Sequence, residues 1–282
     1  MIEAALTPMA AELGQGVYES LPYVLFFSIA FFASTFTVPK HLGLDTPTVQ
    51  YWASSVVSTL HSFIIVPLGY QAMEPFWWSD DLTLTTEASH RAINVFVGYI
   101  LADSLPLLWN RNRWSGSAVY LWHHGAAFLC WSLIGTRGHG HAIAIGLLLC
   151  EATSPFVNGR WFMATMNKKD GLLYYANGAA MTLSFFALRI AWMGWLIFRN
   201  LVVLRTQFLA LPNSTIAVVF FGVVVGYPLQ IMWFQKIVSG LIKVLGGGKP
   251  EASKAKRDAR GSKRSEAFPV GASEATDKSK VQ

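Results

Sequence analysis

The sequence predicts an all-α integral membrane protein of about seven transmembrane helices. Two observations carry that expectation. Hydrophobic residues make up 53% of the 282 residues and charged residues only 13%, where a soluble domain carries about a quarter, and the mean hydropathy is +0.39. Apolar runs of roughly 20 residues, the length a helix needs to cross the hydrocarbon core, recur along the chain. A third observation bears on function: several of these runs hold an isolated polar group, namely His61, Asp103, the pair His123-His124, Glu151 and Arg189. Such groups are costly in lipid and by default mark a functional site, so one polar centre inside a helical bundle is expected.

The spans are expected from Val17 to Val38, Val49 to Tyr70, Ile93 to Trp109, Ser117 to Ile134, His141 to Phe162, Leu172 to Phe198 and Ile216 to Val238. The fifth is the weakest, because Glu151-Ala-Thr-Ser-Pro-Phe-Val-Asn158 interrupts its apolar stretch. Six spans plus a re-entrant piece is the alternative. The first span reads as a retained helix: Glu3, Glu12 and Glu19 stand where a cleavable signal would be basic. Neither end carries a lipidation motif. The chain thus divides into a short N-terminal segment (1–16), a transmembrane domain (17–245) and a basic tail (246–282) with too few apolar residues to fold.

Basic residues in short loops favour the cytosolic side. Alternating the spans puts Lys40, Arg111, Arg113, Arg160, Lys168, Lys169 and the tail on one side. Glu74, Asp80, Asp81, Glu87, Arg91, Arg137, Arg199 and Arg205 fall on the other. The N-terminus is therefore expected to be lumenal and the C-terminus cytosolic. The pI of 9.3 comes largely from the tail and cytosolic loops, which speaks against nucleic-acid binding. The tail reads as a solvated topology anchor, with attraction to anionic lipid heads as the sharper alternative. Cys130 and Cys150 fall inside spans and read as small packing residues.

Adjacent helix residues project about 100° apart, so His123 and His124 do not both aim at one point. Helical metal sites prefer ligands four residues apart, and no metal site or bound cofactor is expected. The pair suits acid–base or nucleophilic chemistry, one imidazole reacting and the other orienting, or else an interhelical hydrogen bond. Asp103 either orients an imidazole or forms a salt bridge that merely joins helices, Arg189 being one partner. Glu151 precedes Ala-Thr-Ser-Pro155, where the proline opens the helix and bares carbonyls to a cavity. Arg189 cannot lose its charge and needs a carboxylate or a lipid head group. His61 is the weakest single candidate. His139 and His141, in Arg137-Gly-His-Gly-His141, read as an exposed turn.

The order of these elements resembles a known family. Ser58-Thr59-Leu-His61, Gly98-Tyr99-x-x-x-Asp103, His123-His124, Glu151-x-x-Ser-Pro-Phe-x-Asn158-x-Arg-Trp161 and the intramembrane Arg189 together look like the TLC-domain family, which includes ceramide synthases and TRAM proteins. The resemblance covers about residues 45 to 240 and lies nearest the TLC-domain-containing subgroup of multi-span lipid-homeostasis proteins. It implies a barrel-like bundle with an internal, lipid-accessible cavity holding the histidines, and residence in the endoplasmic reticulum. Two functions follow from it. In the first, the cavity holds a long-chain lipid, with His61, Asp103, His123, His124, Glu151, Asn158 and Arg189 around the polar end. In the second, the chain is a ceramide-synthase-like N-acyltransferase using acyl-CoA as co-substrate, with His123, His124 and Asp103 catalytic. This sequence departs from that enzyme pattern: Gly125-Ala-Ala follows the histidines, and Glu151 stands in place of paired aspartates. A third reading is a cargo receptor or translocation accessory. The small residues Gly178-Ala-Ala180 permit close packing within one chain or between two copies in a homodimer.

Overall fold

A computed structural model describes residues 2–245, with side chains described for residues 8–242. The basic segment 246–282 lies outside the described residues. Seven helical rods run through the described residues: α1 (Ile2–Ser34), α2 (Thr46–Met73), α3 (Glu87–Trp109), α4 (Ser117–Arg137), α5 (His141–Thr165), α6 (Leu172–Val203) and α7 (Asn213–Leu245). No strand occurs among them.

Local sequence sets the rod ends. Asp45 accepts a hydrogen bond from the Thr48 amide and Pro47 occupies the first turn of α2, satisfying amides that have no partner inside a helix. Thr86 and Ser89 cap α3 reciprocally. The turn from α4 to α5 is made by Gly138 and Gly140 at φ +66° and +77°, a left-handed backbone that costs glycine little.

Six of these rods are long and apolar enough to cross a membrane by length and composition. The exception is α4, not the fifth segment. Its 21 residues have the length, but two histidines, two tryptophans and Arg137 lower its hydropathy. The segment expected to be weakest holds together as one rod, because Pro155 sits at the start of a new helical stretch, where its missing N–H is not needed. A five-residue 3₁₀ segment, Leu149–Thr153, joins the two halves. The first helix also extends back to Ile2, well ahead of Val17.

The rods do not all share one barrel. Contacts run α2–α3, α3–α4, α4–α7, α7–α6, α6–α5 and α5–α2, which closes a ring of six. Outside it, α1 packs against α2, α3 and α4, so about seven helices in a barrel becomes six and one. Close approach there depends on Gly98 of α3, where a Cβ would lie 2.5 Å from Tyr23 Cβ. Phe27 of α1 is 1% exposed beneath this contact, whereas Leu25, Ile29 and Phe32 lie outward, as lipid-facing positions do. Two ion pairs fasten one end of the bundle, Arg137–Glu12 and Arg199–Asp80, each at 2.8 Å. They place on one end residues that span alternation also assigns to one side. Gly178 is used within the chain, lying against the Arg160 guanidinium of α5.

Candidate functional site

Inside the ring, toward the end that carries Lys168 and Lys169, is a chamber of about 160 Å³. Asp103, His123, His124, Glu151, Asn158 and Arg189 all border it. The space is large for a water pocket, which needs only about 10–15 Å³ by the same kind of measure. Beyond His123, Glu151 and Arg189 it meets a second lobe of about 90 Å³. That lobe is walled by Ala126, Cys130, Ile143, Leu147, Met193 and Val219, among others. The first lining has the larger polar share and the second is mostly apolar, with Phe96, His123, Glu151 and Arg189 bordering both.

The charged pair sits on irregular stretches of two helices, α5 and α6. Glu151 lies on the 3₁₀ segment ahead of Pro155, and Arg189 lies on a π-helical stretch, Phe185–Trp192. Such departures from α geometry frequently accompany functional sites. Arg189 Nη2 donates to Glu151 Oε1 at 3.1 Å, Nε to Thr153 Oγ1 at 2.7 Å and Nη1 to Gln230 Oε1 at 3.3 Å. Glu151 Oε2 accepts from Ser154 Oγ at 2.9 Å. A buried guanidinium is tolerable only with such pairing, and its planar fork reaches two neighbouring helices, α5 and α7, at once. The salt bridge considered between Asp103 and Arg189 does not form, because Glu151 takes the arginine.

Asp103 instead accepts from Ser54 Oγ at 2.5 Å and faces His124, whose Nε2 is 3.8 Å from Oδ2. Ser104 Oγ lies 2.6 Å from the Ile100 carbonyl and 3.2 Å from His124 Nδ1. A hydroxyl has one proton, and the shorter contact to a carbonyl takes it. His124 Nδ1–H must then donate to Ser104, which leaves Nε2, the nitrogen facing Asp103, free to gain or lose a proton. Both histidines border the chamber, with ring centroids 6.0 Å apart and planes at 53°. His123 packs edge-on to Trp233 at 5.3 Å and makes no hydrogen bond to another described residue. One imidazole is thus held and the other is open to the chamber. Asn158 Nδ2 donates to Thr59 Oγ1 at 3.0 Å, tying α5 to α2 at the chamber wall.

His61 is not among the chamber residues. It stacks on Tyr99 at 3.8 Å and 9° and meets Phe27 edge-on at 5.7 Å, so it lies at the contact of α1, α2 and α3. It is fully buried, and neither ring nitrogen has a hydrogen-bond partner among the described residues. The Arg137-to-His141 turn is also not exposed: His141 is fully buried. Its Nε2 lies 3.2 Å from the Ile134 carbonyl and its Nδ1 2.7 Å from Ser89 Oγ. A carbonyl can only accept, so Nε2 carries the proton, while Nδ1 and the Thr86 carbonyl, 2.8 Å from the same Ser89 Oγ, compete for its single proton; the ring serves a structural contact. Among the described residues no group of three His, Cys, Asp or Glu side chains is arranged to hold a metal ion.

Several chamber residues gave little signal in sequence. Ser54 and Thr153, which line the chamber, and Ser104 behind His124 are small hydroxyl residues that a helix accepts anywhere. Gln230 was the one visible exception in an apolar span, two residues after Pro228.

A six-helix membrane ring with a buried polar chamber and one helix outside defines the architectural class. Residues 51–239, from the first turns of α2 to the last turns of α7, match the TLC domain model, and the chain belongs to that family. The matched region is the ring, and α1 falls outside it. The chain is 28% identical to human TLC domain-containing protein 4 over 249 residues, 82% of this chain and 89% of the relative. It is 32% identical to zebrafish (Danio rerio) TLC domain-containing protein 4-B over 206 residues, 70% of this chain and 75% of the relative. A chicken (Gallus gallus) TLC domain-containing protein 1 is 28% identical over 148 residues, 51% of this chain and 57% of the relative. No solved structure matches the chain.

Proposed function

We propose that the protein handles a long-chain lipid inside the ring, with the lipid's polar end among His123, His124, Asp103, Glu151, Asn158 and Arg189 and its hydrocarbon chain in the apolar lobe. The observation that carries this is the amphipathic division of the interior, whose two lobes meet at His123, Glu151 and Arg189. Ligand sites are commonly mostly apolar with a few placed polar groups, and a fatty chain with a polar end has that same shape. The setting is lipid homeostasis in the endoplasmic reticulum, as the likeness to ceramide synthases suggests, with the Lys168 end of the bundle facing the cytosol by the positive-inside tendency.

The test is to purify the full chain in a mild detergent and extract what stays bound. A long-chain lipid enriched well above its share of the membrane is expected, reduced at least about tenfold by Trp replacing Ala126, which fills the apolar lobe. Extracts identical to bulk lipid for both proteins overturn the reading.

A second reading, N-acyl transfer from acyl-CoA to a long-chain amine, is favoured by one feature. His124 is held between Ser104 and Asp103 while the adjacent His123 is open to the chamber. In it the histidine pair moves the amine proton while the amine nitrogen attacks the thioester carbonyl and the thiolate leaves. Incubation with labelled acyl-CoA and a sphingoid base decides it: amide that accumulates with time and falls at least about 100-fold in His123→Ala supports it, and bound lipid without product overturns it.

A further inference from the structure

A third space lies outside the chamber, on the wall of the ring between α5, α6 and α7, with a volume of about 90 Å³. Its polar lining is dominated by two cations, Arg160 of α5 and Lys236 of α7. Neither is paired with a carboxylate among the described residues, where the ion pairs are those of Arg91, His124, Arg137, Arg189 and Arg199. Arg160 is held in place without an acid: its guanidinium lies 4.5 Å over the Tyr174 ring. Its Nη1 also fills the space where Gly178 lacks a Cβ, a position only 3.0 Å away.

Both cations fall within segments long and apolar enough to span, where charge must find a partner or a polar path. Their depth identifies the partner. Arg160 is five residues before the end of α5 and Lys236 nine before the end of α7, roughly 7 and 13 Å at 1.5 Å per residue. Both therefore lie toward one end of the bundle rather than at its middle, on the side where a span approaches the head groups. An arginine forms strong, planar, bidentate bonds with phosphate, and a lysine adds a point charge. The site reaches the outer surface of the bundle, because Tyr175 of α6 and Lys236, both in its lining, are exposed. At Gly240, another residue of its lining, an added Cβ meets nothing within 4 Å, so the space is open there.

We propose that this crevice binds the phosphate of an anionic membrane lipid, with Arg160 and Lys236 as its charge partners and the lipid's tails along the outer face of α6. It is separate from the central chamber, with only Val157 and Ile237 common to both linings, and does not depend on what the chamber holds.

The test uses the full chain in neutral dodecyl maltoside micelles, titrated with dioctanoyl phosphatidic acid while the melting temperature and a direct binding signal are followed. Dioctanoylglycerol, which lacks the phosphate, and inorganic phosphate, which lacks the tails, are the comparison probes. Saturable binding of phosphatidic acid is expected, about tenfold weaker in Arg160→Gln or Lys236→Gln and lost in the double variant. Gly240→Leu keeps both charges and fills the open space, so it should block binding without lowering the melting temperature of the lipid-free protein. Equal binding of dioctanoylglycerol overturns the role of the phosphate. Equal binding of inorganic phosphate overturns the lipid as its source. Unchanged phosphatidic acid binding in Gly240→Leu and in the charge variants overturns the site, and if a charge variant does not fold, Gly240→Leu alone decides.

Discussion

Arg189 shows how much rests on single residues. Its guanidinium joins α6 to Glu151 and Thr153 on α5 and to Gln230 on α7. Removing either charge strands the other in a low-dielectric interior, a cost of about 3–5 kcal/mol. Arg189→Gln and Glu151→Gln should each lower the melting temperature in detergent by several degrees, and the double variant should lose clearly less than the sum. Additive losses would show that the two do not act as a pair. Arg189→Lys should recover little, because an ammonium does not present three fixed donors. Sequence alone identified both charges as intramembrane groups needing partners, but not which carboxylate answered the arginine. The pairing depends on the rotation of α5 after Pro155, which residue types do not encode. His61 was misplaced for a similar reason: periodicity locates a side chain on a helix, but its neighbours depend on α1 lying against α2 and α3.

At the scale of elements, the contact of α1 with α3 is the tightest helix approach that a single atom would disturb. A Cβ at Gly98 would stand 2.5 Å from Tyr23 Cβ and 3.0 Å from the Ser20 carbonyl. Gly98→Val should therefore cost about 1–3 kcal/mol through overpacking, and it should make the α1–α2 connection more sensitive to limited proteolysis while the α5–α6 connection is unaffected. Unchanged melting and cleavage would mean α1 yields freely. The helices themselves were readable from their apolar runs and from caps such as Asp45 and Thr86. The strength ranking of the spans was not: a proline at a helical start is tolerated, so α5 persists, while the paired histidines reduce the apolar signal of α4. The residues that made the chamber conspicuous are those that disguise one of its walls.

At the scale of the whole molecule, the ring and the outside helix account for where the family likeness begins and ends. The all-helical membrane class was legible from composition, whereas the six-and-one arrangement was not, because pairing between rods distant in sequence leaves no trace in hydropathy. The proposed orientation can be read with the molecule's own cysteines as a quiet background. Cys130 and Cys150 are 3% and 5% exposed, so a membrane-impermeant maleimide should ignore them. In sealed microsomes with the cytosolic face outward, Lys169→Cys should label at once and Trp78→Cys, at a site 93% exposed, only after permeabilisation. The reverse pattern would invert the topology.

The π-helical stretch of α6 has one further consequence. A π turn accommodates one residue more than an α turn, so Phe185–Trp192 acts like a link of extra length in a chain wound at fixed pitch. Deleting one residue there, Leu188 for instance, returns the turn to α geometry while everything downstream keeps its angular position. Trp192 should still reach the Gly146 carbonyl, now at 2.8 Å, and Arg199 should stay on Asp80, whereas one residue deleted from the regular stretch Leu172–Ser184 turns everything downstream by about 100°. Equal loss of stability from the two deletions would show that the π stretch offers no such slack.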